Sequence, residues 1–286
     1  MPIVTAVATL AIGCMSAFAS HNALSRELPL WELGGGLSAV SLPDYRGSNQ
    51  SHGYLLPFPY VVYRGDKFRI DRQRVRGFWF ESDRIELDLS ANAAVPVRSV
   101  RNDARSGMPN LSPVWEIGPS LRFIAIQSAD KRTELSVRLP VRAAIATDGR
   151  HVDGTGYTFS PTLGVDWREL TIAGTPNWNI SALVSTLYAT RAYHDYYYSV
   201  APAFATANRS AYVARGGYGG WQLTGTVAKR WDKFWIGGFI RYDSVDGATF
   251  DSSPLVRTRA NVVGGIAFSY IFLESATKVD SREPGF

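Results

Sequence analysis

The sequence predicts an all-β chain, a transmembrane antiparallel β-barrel of about 12 strands with about 10 as the alternative, and three observations carry that expectation. The first is a strict period of two. In residues 84–95, Ile85, Leu87, Leu89, Ala91, Ala93 and Val95 share one face, while Glu86, Asp88, Ser90 and Asn92 share the other. Residues 133–143 repeat it, with Leu135, Val137, Leu139, Val141 and Ala143 opposite Glu134, Ser136, Arg138 and Arg142. The second is composition: 13% of residues are aromatic, mean hydropathy is only −0.08, and no run after residue 20 reaches the roughly 18 apolar residues of a membrane helix. The third is that short and long connections alternate along the chain. Alternation alone fits a soluble sandwich equally well, because a barrel in a bilayer is that pattern turned inside out.

Residues 1–19 are uncharged, mostly apolar and end in Ala17-Phe18-Ala19, a small-x-small cleavage pattern. They read as a secretory signal peptide, leaving residues 20–286 as one barrel domain with a short polar tail, 273–286. No Lys or Arg precedes Arg26, so either the start lies upstream or the signal is atypical. An uncleaved anchor is the competing reading. Ala11-Ile12-Gly13-Cys14 loosely resembles a lipidation signal, although Ala is poor at its first position. Cleavage after Ala19 would remove the chain's one cysteine, so a secreted protein of this size must be held without disulfides, and a closed barrel is one way.

Taken in order, residues 31–41 alternate Trp31, Leu33, Gly35, Leu37 and Ala39 against Glu32, Gly34, Gly36 and Ser38. A turn-rich segment, Pro43-Asp44-Tyr45-Arg46-Gly47-Ser48-Asn49, follows. Residues 54–63 form the next strand, and Pro57 and Pro59 on one face, which cannot donate to a ladder, mark it as irregular or edge-like. In residues 67–80 the register breaks at Arg72, Arg74 and Arg76 and restarts at Gly77, so this stretch is one bent strand or a short hairpin. Strands are then expected at 84–95, 114–127, 133–143, 156–167, 178–188, 211–230, 234–242 and 258–272. Long loops are expected at 96–113, 147–155, 189–210 and 243–257. No long amphipathic helix is expected.

Barrels of bacterial outer membranes have short periplasmic turns and longer outer loops. If residues 258–272 run inward, the short links near 232, 173, 130 and 82 fall on the periplasmic side and the long segments near 250, 200, 151 and 105 fall outside. An even count then requires residues 67–80 to be a hairpin. Trp31, Trp167, Trp178, Tyr188 and Trp235 lie at strand ends, where interfacial girdles belong.

The net charge of +5 is modest and interleaved, which argues against nucleic acid as a partner; the densest basic run, Arg69, Arg72, Arg74 and Arg76, reads as a lumen or rim surface. Glu86, Asp88, Glu134, Arg138 and Arg142 are expected to line the lumen. Catalysis finds little support. His21, His52, His151 and His194 lack metal-site spacing, and no Gly-x-Ser-x-Gly elbow or phosphate loop occurs. His194-Asp195 could be cast as a hydrolase pair only in a loop, since neighbours on a strand face apart. Gly34-Gly35-Gly36 reads as close strand packing. No catalytic, cofactor-binding or metal residue is assigned, and no cofactor is expected.

Five motifs go beyond generic barrel character: Pro43-Asp44-Tyr45-Arg46-Gly47-Ser48, Arg105-Ser106-Gly107-Met108-Pro109-Asn110-Leu111, Glu116-Ile117-Gly118-Pro119-Ser120-Leu121, Tyr196-Tyr197-Tyr198-Ser199-Val200 and Arg215-Gly216-Gly217-Tyr218-Gly219-Gly220. In this order the chain resembles the MipA/OmpV family of outer-membrane proteins, the MltA-interacting proteins. The resemblance implies the outer membrane of a Gram-negative-type envelope, with lipid and lipopolysaccharide around the barrel. It also implies a scaffold joining a lytic transglycosylase to a penicillin-binding murein synthase; other members are described as surface antigens or adhesins. The rival reading is a small-solute pore, although a barrel of about 12 strands is smaller than those that usually hold an aqueous channel. One departure from the usual barrel end is that Gly265, Phe268, Tyr270 and Phe272 resemble a closing strand, yet a polar segment follows that cannot pack a core.

Overall fold

The computed structural model describes residues 26–65, 68–70, 75–82 and 84–281. The segment read as a signal peptide, with Cys14 and His21, lies outside the described residues, as do Arg72 and Arg74. Of Arg69 and Arg76 the backbone pairing alone is described.

The strands are β1 (Arg26–Pro29), β2 (Trp31–Pro43), β3 (Ser51–Arg64), β4 (Phe68–Ile70), β5 (Val75–Glu81), β6 (Ile85–Ala94), β7 (Val114–Gln127), β8 (Thr133–Thr147), β9 (Val152–Phe159), β10 (Thr162–Ile172), β11 (Thr175–Ala189), β12 (Gly217–Trp231), β13 (Phe234–Ser244), β14 (Ala260–Glu274) and β15 (Lys278–Ser281). A short helix, α1 (Arg191–Tyr198), interrupts the long connection before β12. All pairings are antiparallel. Each strand from β2 to β8 pairs with the next, β11 to β14 do the same, and β14 returns to β2. The remaining position is shared: β9 pairs with the upper part of β8, and β10 pairs with its lower part and with β11. The ladder thus closes on itself, with residues 67–80 supplying the hairpin that an even count requires.

The strand expected at 156–167 is split at Ser160-Pro161, since Pro161 has no donor for the ladder. The loop expected at 147–155 shrinks to a tight connection, and the short link at 170–177 is a two-residue turn at Ala173-Gly174, with φ of 48° and 73° as a type I′ hairpin demands. The strand expected from residue 211 starts only at Gly217. Close packing at the glycine triplet is confirmed at the seam where the barrel closes: a Cβ on Gly34 would stand 2.3 Å from the Tyr270 carbonyl oxygen, and one on Gly36 would stand 2.4 Å from that of Phe268.

Side chains obey the alternation. On β7, Trp115, Ile117, Leu121 and Phe123 are exposed on the outer wall, while Val114, Glu116, Ser120, Arg122 and Ile124 are buried inside. Trp31, Tyr63, Trp167, Trp231, Phe234 and Tyr270 ring the short-turn end, and Trp115, Phe159, Tyr188, Tyr218 and Tyr242 ring the other. Trp235 is a correction. It pairs with Arg230 and Ser269, inward-facing positions, and packs against Tyr60, Val62 and Ile271 in the lumen.

The edge-like reading of Pro57 and Pro59 has a structural counterpart. β3 meets β4 only at Tyr63 and Arg64, and among the described residues nothing pairs with that edge of β3 above Tyr63. On the far side of the gap, β6 meets β5 only up to Leu89. Prolines blunt such a free edge against pairing with another chain.

The polar tail also differs from expectation. β14 extends through Glu274, and β15 pairs with β1 in a two-stranded ribbon below the short-turn end, tied to the barrel by Ser275 N–H donating to the Trp31 carbonyl and Leu30 N–H to that of Thr277.

Candidate functional site

The lower lumen is filled by ion pairs. Glu32, wholly buried, accepts from Arg64 Nη1 at 2.8 Å and Arg230 Nη1 at 2.7 Å, joining β2, β3 and β12 across the interior. In a second cluster, Arg122 is 1% exposed and bridges Glu86 (2.6 Å) and Glu134, while Arg168 reaches Glu134 from β10 at 3.4 Å. Arg138 pairs with Asp166 at 3.1 Å, and Ser181 Oγ donates to the same carboxylate at 2.6 Å. Charges removed from water must be compensated in place, and here each guanidinium faces a carboxylate on another strand. Such a network ties β2 to β3 and β12, and β7 to β6, β8 and β10, with side chains inside the lumen.

The outer end is closed differently, by loops that pack a core of their own. Tyr45, Val97, Leu111, Tyr197, Tyr198, Val200, Val245, Phe250 and Leu255 are buried together. Tyr198 stacks on Phe250 with ring centroids 3.6 Å apart. Long-range bonds lock the loops: Tyr45 OH donates to the Leu255 carbonyl at 2.9 Å, Tyr198 OH to that of Arg46 at 3.0 Å, and Arg209 Nη1 to those of Ala104 and Ser106 at 2.9 Å. Helix α1 is anchored to the wall through Tyr193 OH, which donates to Glu116 Oε1 at 2.9 Å. Burial raises the Tyr193, Tyr197 and Tyr198 phenols and pushes Tyr45 up to about 12, so all four stay neutral.

Between cap and ion pairs lies a cavity of about 350 Å³. Arg46, Asn92, Arg142, Tyr193, His194, Gln222 and Arg241 are among its lining residues. Arg142 pairs with Glu116 at 3.6 Å and donates from Nε to Ser90 at 2.8 Å; Arg241 is held by Asp243 at 3.0 Å. His194 is wholly buried, and Nδ1 donates to the Arg215 carbonyl at 2.7 Å, which leaves Nε2 as the acceptor nitrogen. Burial lowers its pKa.

The family model described as MltA-interacting protein MipA matches residues 35–272. The chain belongs to the MipA family. No curated protein matches it. Among solved structures, one titled "Bacterial polysaccharide outer membrane secretin" aligns with 86% of this chain and 99% of its own at 9% identity and a TM-score of 0.39, too loose a likeness to carry an argument. This MipA-family protein is thus an outer-membrane-type β-barrel.

Four of the five motifs of the MipA-family resemblance meet in the cap, through Tyr45, Arg46, Arg105, Tyr197, Tyr198 and Arg215, and the fifth supplies Glu116 beneath it. Gly118 of that fifth motif is required by packing, since a Cβ there would stand 2.0 Å from the Val141 carbonyl oxygen. The expected lumen residues Glu86, Asp88, Glu134, Arg138 and Arg142 all face inward. The alternation also held Glu32, Glu116 and Arg122, which the sequence reading left unsingled. Arg168 was missed because the strand was expected to end at Trp167. The hydrolase pairing is not formed: His194 turns to the Arg215 carbonyl, whereas Asp195 binds Arg191 (3.2 Å) and Ser199 (2.6 Å). Among the described residues no group of His, Cys, Asp and Glu is placed to hold a metal.

Proposed function

We propose that this protein is a non-catalytic scaffold in the outer membrane, a plugged barrel whose short-turn end docks peptidoglycan-remodelling enzymes, a lytic transglycosylase and a penicillin-binding synthase. The observation that carries the reading is the family match over residues 35–272, whose description names MltA as the interacting protein. The filled lumen supports it over a pore, because the ion pairs around Glu32, Arg122 and Glu134 occupy the space a solute would cross. In this reading residues 1–19 are removed on export, and the docking end comprises the turns at 128–132, 173–174 and 232–233 with the β1–β15 ribbon.

Removal of residues 276–286 spares β14 and takes away β15, one of the two strands of the ribbon. That truncation, or reversing the charge of Lys131 and Lys233, is expected to weaken recovery of a murein enzyme after cross-linking in intact cells. Changes in the outer loops, at Arg101 or Asp246, are expected to leave recovery unchanged. Loss of binding from the outer-loop changes instead would favour an adhesin, and steady conductance of the purified protein in a planar bilayer would favour a pore.

A further inference from the structure

The outer end of the lumen holds a cation that the scaffold role does not use. Arg46 is anchored through Nη2, which donates to the carbonyls of Trp221 (3.2 Å) and Ser244 (3.1 Å), and its own carbonyl is fixed by Tyr198 OH. Its Nε and Nη1 are shielded from solvent and have no partner. Among the described residues, every other charged group lining the cavity is matched. Asp44 is taken by His52 (2.9 Å) and Asn102 (2.7 Å), Glu116 by Arg142, Thr158 and Tyr193, and Arg241 by Asp243. A guanidinium held rigidly beside a polar cavity, with donors left over, is unfavourable unless an acceptor fills the space.

We propose that this cavity is a binding site for an oxyanion, the phosphate or carboxylate of a small molecule or of a lipid headgroup, with Arg46 as its principal cation. Charge-assisted bonds from a fixed guanidinium are the usual means of holding either group. Gln222 supplies a neutral amide. About 350 Å³ suits a small ligand.

On the β6 side the cavity meets the wall. Four consecutive residues at the end of β6, Ala91, Asn92, Ala93 and Ala94, and Val95 just beyond it line the cavity, whereas a strand closed on both edges shows the lumen only alternate residues. The cavity therefore reaches the edge of β6 above Leu89, which has no described partner on that side.

The test uses the full-length protein in a neutral maltoside detergent, titrated by calorimetry at constant ionic strength. Inorganic phosphate is one probe and dihexanoyl phosphatidic acid the other. Saturable binding of at least one probe is expected, weakened tenfold or more by Arg46→Gln and by Gln222→Glu, and unchanged by Lys233→Gln. Gln222 makes no bond that holds the cap, so Gln222→Glu alone decides if Arg46→Gln fails to show heat-modifiable migration. Binding of the lipid alone places entry in the bilayer, and binding of phosphate places it in solution; both uphold the site. Absence of saturation by either probe, or equal affinity in both cavity variants, overturns it. No murein enzyme is present in this experiment, so its outcome is independent of the scaffold role.

Discussion

The barrel wall and the outer cap use the same side chains in opposite directions. On the wall, Leu37, Ile117, Leu139 and Ile266 point outward and Arg122, Glu134 and Glu32 are buried; in the cap, Phe250, Leu255 and Tyr198 are buried. Both are antiparallel or loop structures from one chain, so the difference lies in the solvent. Lipid leaves apolar groups no reason to turn inward, and the wall is held by closure and by ion pairs within. Water around the cap restores the ordinary hydrophobic effect. The arginines follow suit: those of the lower lumen meet carboxylates, whereas Arg105 and Arg209 in the cap donate to backbone carbonyls.

Removing one keystone from each region gives the largest contrast. Arg122→Met removes the buried guanidinium shared by Glu86 and Glu134 and is expected to cost about 3 to 5 kcal/mol, seen as a lower urea midpoint for the whole barrel. Phe250→Ala carries a similar cost, about 3 to 5 kcal/mol, but spends it locally. Its expected signature is rapid proteolysis within residues 190–216 while the barrel keeps its heat-modifiable migration. Simultaneous loss of both regions in either variant would show that wall and cap are one cooperative unit.

A smaller effect separates the two faces of the wall. Leu139→Arg is expected to cost about 2 to 4 kcal/mol near the bilayer midplane. Asn92→Arg, beside the open cavity, should change the folding midpoint in vesicles much less. The lumen face is not permissive everywhere: Ser136 is wholly buried among the ion pairs, and an arginine there has no space to occupy. Equal sensitivity at residues 92 and 139 would contradict the assignment of faces.

The smallest effect is on pH and belongs to the cap alone. His194 lies in the outer loop with its pKa held below the ordinary 6.5 by burial. The unfolded loop then binds more protons than the folded one, so the cap's stability is complete above pH 6.5 and falls as the pH drops below it. Protease sensitivity of the cap should rise between pH 7 and 5 in the wild type and less in His194→Gln. A barrel midpoint that falls in parallel would assign the titration elsewhere.

What the sequence by itself determined is the pattern of the wall: which face of each long strand meets lipid and where the short turns lie; residues 67–80 read as a bent strand or a hairpin, the hairpin being what an even count requires. A strand writes its environment in a period of two, and that signal is local enough to read from a few residues. Even the edge of β3 that no described residue pairs above Tyr63 was legible as edge-like, in Pro57 and Pro59. The tertiary structure alone decided the cap, the cavity and the ribbon. Arg191–Tyr198 is too short and too rich in tyrosine to announce a helix, and Tyr45 finds Leu255 across 210 residues of chain. The partnering of β1 with β15 likewise joins the two ends of the described chain, with four residues on each side. Pairings of that separation leave no periodic trace, because each loop contributes single side chains whose burial depends on where the other loops fall.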